Sequence, residues 1–344
     1  MRAWRIREHG GPEVLRLEDL PVPDPGAGEV RVRVDAVGLN HLDLWVRRGV
    51  PTHAFPLPVT PGCEIAGRID AAGRGVSRKA DERVLLAPGI GCGGCIPCRR
   101  DREHLCASYG ILGESRDGGC AEYVVVPERQ LMAFPDNLGA EEAAALPLVL
   151  LTAWHMLVDR ARVRPGDWVL IRAGASGVST LAIQIAKLWG ARVIATVTAE
   201  SKAPAVAVLG ADHVVSLAGR ELRDEVRRLT RRRGVDIVMD HVGAPTLRDS
   251  MSCLDAGGRL VTCGATAGAE VAIDLRHVFF KNLSLLGSTM GGRGELEEAL
   301  EHVREGRLRP VVDRVFPMED LASAHRHLED RRAVGKVVLR GFRS

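Results

Sequence analysis

Trp168-Val169-Leu170-Ile171-Arg172-Ala173-Gly174-Ala175-Ser176-Gly177-Val178-Ser179 decides how this chain is built. Trp168–Arg172 reads as a short apolar strand. A run of small residues follows it. Thr180–Trp189 then has helical spacing and is closed by Gly190. Arg192–Val197 returns as a second strand. Strand, small-residue turn and helix in that order place the free N–H groups of a helix N-terminus where a pyrophosphate would meet them. Several of the usual glycines are Ala or Ser here, but small residues still let backbone approach a phosphate. A plain tight turn between strand and helix is the other reading of this stretch alone.

Working outward, the alternation continues. Helical patterns at Ser201–Leu209, Glu221–Arg233 and Thr246–Leu254 are interleaved with strands at His213–Leu217, Val235–Asp240, Gly258–Cys263 and Leu283–Gly287. Short apolar strands separated by helices predict a parallel, doubly wound sheet of the Rossmann kind. The first third is different. Val30, Val32 and Val34 alternate with Arg31, Arg33 and Asp35, the period of a half-buried strand. Further strands are expected at Arg83–Leu86 and Ala121–Val126, with one helical stretch at Leu42–Arg48. Glu141–Val158 reads as a helix divided by Pro147. Glu295–Val303 and Leu321–Glu329 read as helices with polar outer faces.

The 344 residues are 46% apolar and 26% charged, an ordinary globular composition that excludes disorder as the dominant state. The net charge of +3 is too small to point to a nucleic-acid partner. Only five of the 47 basic residues are lysine, which we read as compositional bias. The cluster at Arg227, Arg228, Arg231, Arg232 and Arg233 reads as a solvated helix end. No apolar run reaches the ~20 residues a membrane span needs, and no signal-peptide pattern opens the chain. The expectation is a cytoplasmic protein with no membrane or nucleic-acid partner.

Eight cysteines are present, and four of them crowd into one loop: Cys92-x2-Cys95-x2-Cys98-x7-Cys106. Four thiolates at that spacing can close a tetrahedral shell around zinc and leave no position for water or substrate. Iron–sulfur ligation and a redox thiol pair are the competing readings. A closed site of this kind is structural, so one structural zinc per subunit is expected, in a lobe spanning 91–107.

A dinucleotide site that prefers NAD places an acidic residue at the end of the second strand, to hold the ribose diol. Val197 stands there instead. Thr198, Ser201 and Lys202 follow, hydroxyls and a cation suited to a 2′-phosphate, with Glu200 beside them. The charge argument favours NADPH, with NADH possible.

Together these features resemble the medium-chain dehydrogenase/reductase superfamily over nearly the whole chain. The resemblance rests on Gly11-Pro12-Glu13-Val14-Leu15, the four-cysteine lobe, Leu151-Thr152-Ala153-Trp154, the turn at 173–179 and Gly257-Gly258-Arg259-Leu260. It implies a GroES-like β-barrel catalytic domain (1–148 and 289–344), a Rossmann domain (149–288), and a homodimer or homotetramer, a dimer pairing through the strand near Leu283–Gly287. It implies cofactor contacts at His41, Thr152, Ser176, Gly177, Val178, Thr198, Lys202, Ala265 and Ser288.

In the alcohol dehydrogenases of that superfamily a catalytic zinc takes three protein ligands. Here those places hold Asn40, Cys63 and Leu148, and Leu42 takes the place of the proton-relay hydroxyl. Asn40-His41-Leu42-Asp43 followed by Arg47-Arg48-Gly49 instead resembles the quinone and enoyl reductase branch. That likeness implies NADPH-dependent hydride transfer to a carbonyl-conjugated C=C or a quinone. Asn40 would donate to the developing enolate oxygen, and Asp43 would orient Asn40 or a backbone amide. Pro51 stands about where some relatives carry a donor tyrosine, so Tyr109, the nearer of the two tyrosines, is the candidate proton donor, with water as the other source and an aromatic wall as its other role. Glu64 is a candidate supporting carboxylate. Two alternatives stay open: a zinc alcohol dehydrogenase with an atypical ligand set, and a non-catalytic zinc- and dinucleotide-binding protein.

Overall fold

A computed structural model describes residues 1–51, 53–217 and 221–342. The chain divides into two units: 1–148 with 292–306 and 310–344, and 149–291 with 307–309. The expected return of the chain to the first unit at 289 therefore comes three residues later, after Gly291.

The first unit opens with the antiparallel pair β1 (Arg2–Ile6) and β2 (Leu15–Asp19). β3 (Glu29–Leu39) is the long central strand. It buries Val30, Val32 and Val34 and turns Arg33 out to solvent, as the alternation requires. α1 (His41–Arg48) follows, then β4 (Glu64–Ala72), β5 (Arg83–Leu86) and β6 (Gly89–Ile90). The cysteine lobe carries one short helical turn, α2 (Ile96–Arg99). β7 (Gly110–Ile111) pairs with β6. β8 (Tyr123–Pro127), β9 (Leu131–Ala133) and α3 (Ala140–Ala144) complete the N-terminal part.

The chain then runs through α4 (Pro147–Trp154) and a π-helical segment, His155–Arg160. Pro147 does divide the helical stretch: α3 stops at Ala144, and Pro147 opens the next helix at a position where its missing N–H costs nothing. In the second unit β10 (Trp168–Ile171), α5 (Gly177–Leu188), β11 (Arg192–Val197), α6 (Ala203–Ala207) and β12 (His213–Ser216) alternate. α7 (Leu222–Leu229), β13 (Val235–Met239), α8 (Ala244–Ser252), β14 (Leu254–Thr262), α9 (Leu275–Phe280) and β15 (Ser284–Gly287) follow. α6 is shorter than the expected Ser201–Leu209, because a 3-10 turn at Glu200–Lys202 precedes it. α8 begins and ends two residues before Thr246–Leu254, with Pro245 in its first turn and Leu254 already in β14.

The last segment rejoins the first unit as α10 (Arg293–Arg304), β16 (Val312–Pro317), α11 (Leu321–Glu329) and β17 (Lys336–Arg340). β17 sits between β16 and the second half of β3, in a seven-stranded sheet whose path is β16-β17-β3-β4-β5-β9. β8 pairs the first half of β3. An apolar core of residues such as Val32, Val37, Ile65, Leu86 and Val337 fills this unit.

The six strands of the second unit are all parallel, in the order β12-β11-β10-β13-β14-β15. Counted from β10 this is third, second, first, fourth, fifth, sixth. The strand order reverses between β10 and β13, and it is outside the carboxyl ends at such a reversal that dinucleotides bind. Among the described residues, no helix is long and apolar enough to cross a membrane.

Candidate functional site

The turn between β10 and α5 behaves as its residues require. Ala173 takes a left-handed conformation, Ser176 caps α5, and the Ser176 hydroxyl accepts from the Ser179 N–H at 3.1 Å. Gly177 and Val178 open the helix, so three of the expected cofactor residues lie together at one helix N-terminus. Thr198 lies just past β11, exposed, and Lys202 ends the 3-10 turn that follows. Ala265 and Ser288 follow β14 and β15 at the same edge of the sheet. Thr152 is buried on α4. His41 belongs to the first unit, as the first residue of α1, with its ring edge-on to Trp45.

Three residues at this edge were missed in the sequence reading. The imidazole Nδ1 of His241, the hydroxyl of Ser216 and Nη1 of Arg172 are all buried without a hydrogen-bond partner, as is the hydroxyl of Ser288. Every one of them stands at or just past the carboxyl end of a parallel strand. Buried polar atoms are normally paired, and four orphans on one edge mark a place built to receive polar ligand atoms. A nicotinamide dinucleotide therefore fits the residues present. His241 follows Asp240, whose carboxylate anchors the next turn by accepting from the N–H groups of Val242 (2.9 Å) and Gly243 (3.3 Å). An acid followed by His-x-Gly after a strand was the signal available for His241.

In the first unit the four lobe sulfurs come together, all within 4.8 Å of one another. Cys92 Sγ and Cys98 Sγ are 4.0 Å apart, close to what a tetrahedral zinc with sulfur at about 2.3 Å would impose. Backbone N–H groups of Cys92 and Ser108 point at Cys106 Sγ, and that of Cys95 at Cys92 Sγ. N–H groups of Gly94 and Cys95 bring the Cys92 thiol down to about 6, and those of Cys92 and Ser108 lower Cys106. Burial takes Cys98 up to about 12. The four residues fit a zinc ion, whose binding would displace the remaining thiol protons.

Behind β3 lies a second polar cluster. The Asn40 side chain donates to Glu64 Oε2 at 2.9 Å and points its other hydrogen toward Cys63 Sγ at 3.3 Å. Its oxygen accepts from Lys336 Nζ at 2.7 Å. Lys336 also pairs with Glu64 at 2.7 Å and donates to the Leu39 carbonyl. Glu64 Oε1 accepts from the Leu148 N–H at 2.8 Å. All of these side chains are buried.

The geometry corrects one expectation. Both amide hydrogens of Asn40 are engaged within the protein, so none is free to donate to an enolate oxygen. Asp43 is equally occupied. It accepts from the Asn40 N–H at 2.7 Å, closing the N-terminus of α1, and from the Gly62 N–H at 2.9 Å. It is a positioning residue. Burial raises its carboxyl to about 6. Burial, reinforced by Asp43 and Glu64, pushes the Cys63 thiol well above its usual range, so Cys63 stays protonated.

Tyr109 is placed otherwise. Its hydroxyl is buried with no hydrogen-bond partner, and a Cβ on Gly89 would lie 2.0 Å from it, so only glycine fits at 89. Burial first, then the charges of Glu103 and Glu114, push its pKa up, so the phenol keeps its proton.

With the geometry described, comparison with known proteins gives a consistent result. Residues 26–136 match the alcohol dehydrogenase GroES-like domain, and residues 177–305 match the zinc-binding dehydrogenase domain. An NAD-dependent alcohol dehydrogenase of Sulfurisphaera tokodaii is 33% identical, over 98% of this chain and 99% of that protein. The human quinone oxidoreductase is 30% identical, over 98% of this chain and 97% of that protein. A crystal structure described as an NAD-dependent alcohol dehydrogenase superposes with a TM-score of 0.95 at 50% identity, covering 99% of both chains. The fold and its two sites define a two-domain nicotinamide-dependent oxidoreductase with a GroES-like and a Rossmann domain. The chain belongs to the medium-chain dehydrogenase/reductase superfamily.

Proposed function

We propose that this oxidoreductase reduces a carbonyl-conjugated C=C or a quinone, and does so without a catalytic zinc. The observation that carries the reading is the closed state of the Asn40 amide. A catalytic zinc needs three protein ligands and an open position. Asn40 is bonded to Lys336 at one end and to Glu64 at the other, and Leu148 offers no ligand atom, which leaves Cys63 alone among the three ligand places.

The bound nicotinamide supplies the hydride. Ser176, Gly177 and Val178 would hold the pyrophosphate at the α5 N-terminus. Thr198 and Lys202 would meet a 2′-phosphate, which makes NADPH the preferred donor. Cys92, Cys95, Cys98 and Cys106 would hold one zinc that pins the lobe. With Asn40 engaged, the Tyr109 hydroxyl is the side-chain donor left to protonate the α-carbon or the quinone oxygen. Lys336, Glu64 and Asp43 hold the backbone around Asn40 in place.

Association of two copies fits the outer strand of the parallel sheet. Among the described residues β15 has no strand beyond it, Leu285 is exposed there, and Leu275, Phe279 and Phe280 of α9 are exposed as well. We assign this edge to a homodimer in the cytoplasm. A Phe280→Glu variant eluting as a dimer would remove that assignment.

The test of function pairs metal content with turnover. About one zinc per chain, and NADPH oxidation dependent on an enone or quinone and unaffected by brief chelation, support the reading. About two zinc ions, with alcohol-dependent reduction of NAD(P)+ that chelation abolishes, would establish the alcohol dehydrogenase reading that the names of several relatives favour. Metal and dinucleotide binding with no turnover would leave the binding protein. The ratio of kcat/KM for NADPH and NADH, in the wild type and in Lys202→Ala, tests the cofactor preference.

A further inference from the structure

Ser176 and His241 form a hydrogen-bonded pair across the reversal of strand order, with Ser176 Oγ 3.1 Å from His241 Nε2. One residue closes the turn after β10 and the other follows β13, the adjacent strand on the far side of the reversal. By distance the contact fits either tautomer, and the bonding of Ser176 argues for one of them. Ser176 Oγ already accepts from the Ser179 N–H. Its own hydroxyl hydrogen needs an acceptor, and His241 Nε2 is the one within reach. A neutral imidazole that accepts at Nε2 carries its proton on Nδ1. Burial lowers the pKa of His241, which keeps the ring neutral. Nδ1 is therefore an N–H donor, and it is buried with no partner in the protein.

A buried donor left unpaired costs about 1–3 kcal/mol. The surroundings do not let this one relax. Asp240 pins the following two N–H groups. The Val242 carbonyl accepts from Ala267 N–H at 2.9 Å, and Gly268 accepts from Ala244 N–H at 2.9 Å, so the segment is stitched to the turn after β14. Gly243 has φ +99° and would place a Cβ 2.4 Å from the Gly268 carbonyl, so the turn admits only glycine.

We infer that His241 is a cofactor-binding residue, held in one tautomer by Ser176 so that Nδ1–H donates to an oxygen of the ribose-phosphate portion of a bound dinucleotide. The inference rests on dinucleotide binding by this domain. Failure of that premise is distinguishable, because the wild type would then bind neither NADH nor NADPH.

The test uses the full-length chain and binding rather than turnover. Dissociation constants for NADPH, NADH and adenosine diphosphate ribose are measured calorimetrically for wild type, His241→Phe and His241→Asn. Phenylalanine keeps the ring volume and deletes the donor. Asparagine returns an N–H near the Nδ1 position. Expected are roughly tenfold weaker binding of all three ligands by His241→Phe, recovery of most of the loss by His241→Asn, and an unchanged melting temperature of the ligand-free protein. Nitrogen-15 NMR of labelled histidine, assigned by its absence from His241→Asn, should show the Nδ1–H tautomer before ligand is added and a shift of that nitrogen on binding. Wild-type affinity in His241→Phe, or a loss that His241→Asn does not repair, would overturn the inference. So would an Nε2–H tautomer in the free protein.

Discussion

The Lys336 ammonium stands 2.7 Å from the Glu64 carboxylate and 2.7 Å from the Asn40 side-chain oxygen, with all three residues buried. Charges sealed from water depend on each other. Taking one away leaves the other uncompensated, at a cost of about 3–5 kcal/mol, whereas replacing both together is often close to neutral. Lys336→Met should therefore unfold at markedly lower urea than wild type, and Lys336→Met with Glu64→Gln should recover much of the difference. Additive effects of the two substitutions would show that the pair is not coupled.

Tyr109→Phe separates catalysis from stability. The hydroxyl has no partner to lose, so the variant should be as stable as wild type or about 1 kcal/mol more stable. If the phenol supplies the proton, turnover of an enone should fall by about 10²-fold or more at unchanged cofactor affinity. Full activity in a folded Tyr109→Phe protein would assign protonation to water.

The cysteine lobe predicts a metal-linked loss of stability. Cys95→Ser should be purified without its zinc and melt lower by on the order of 10 °C, since structural metal binding contributes directly to folding. An equal zinc content in Cys95→Ser and wild type would place the metal elsewhere.

Asp43 predicts a pH effect of defined sign. Its folded pKa of about 6 lies above the ordinary carboxylate value of ~3.9, so between these values the folded state holds more protons than the unfolded chain. Stability from this group is greatest at low pH and falls as pH rises from about 4 to about 6. Asp43→Asn lacks that titration and loses one of two backbone contacts, at about 1–3 kcal/mol. Urea titrations should find the gap between wild type and Asp43→Asn larger at pH 4.5 than at pH 7.5. A gap that widens with pH would contradict the assignment.

The alternation of strand and helix after Trp168 is a local property, and so the parallel sheet and the turn that opens α5 were legible from residue order alone. The cysteine cluster was legible for the same reason, because all four sulfurs that come together fall within one loop. What residue order hid was long-range pairing. Asn40 read as a free donor because nothing near it in sequence announces Lys336, which reaches it through β17. Asp43 read as an orienting residue, and its position three residues after Asn40 is that of a helix-capping acid, a local signal. His241 was passed over because its partner, Ser176, lies 65 residues earlier. Helix ends moved by a few residues where a proline or a 3-10 turn set the boundary, as at Pro245 and Glu200–Lys202.

The place of β17 bears on how the protein is made. Leu39 and Lys336 touch across 297 residues, which a ribosome adding 5–20 residues per second takes roughly 15–60 s to bridge. Throughout that interval the Ala36–Leu39 part of β3 has a bare strand edge on the side that β17 will occupy, and Glu64 lacks its Lys336 partner. The parallel-sheet unit is nearly continuous in sequence, and all but residues 307–309 have been made by Gly291. On the ribosome, then, the first unit to emerge is the last to close, and a nascent chain held before residue 336 should be a substrate for chaperones that bind exposed strand edges.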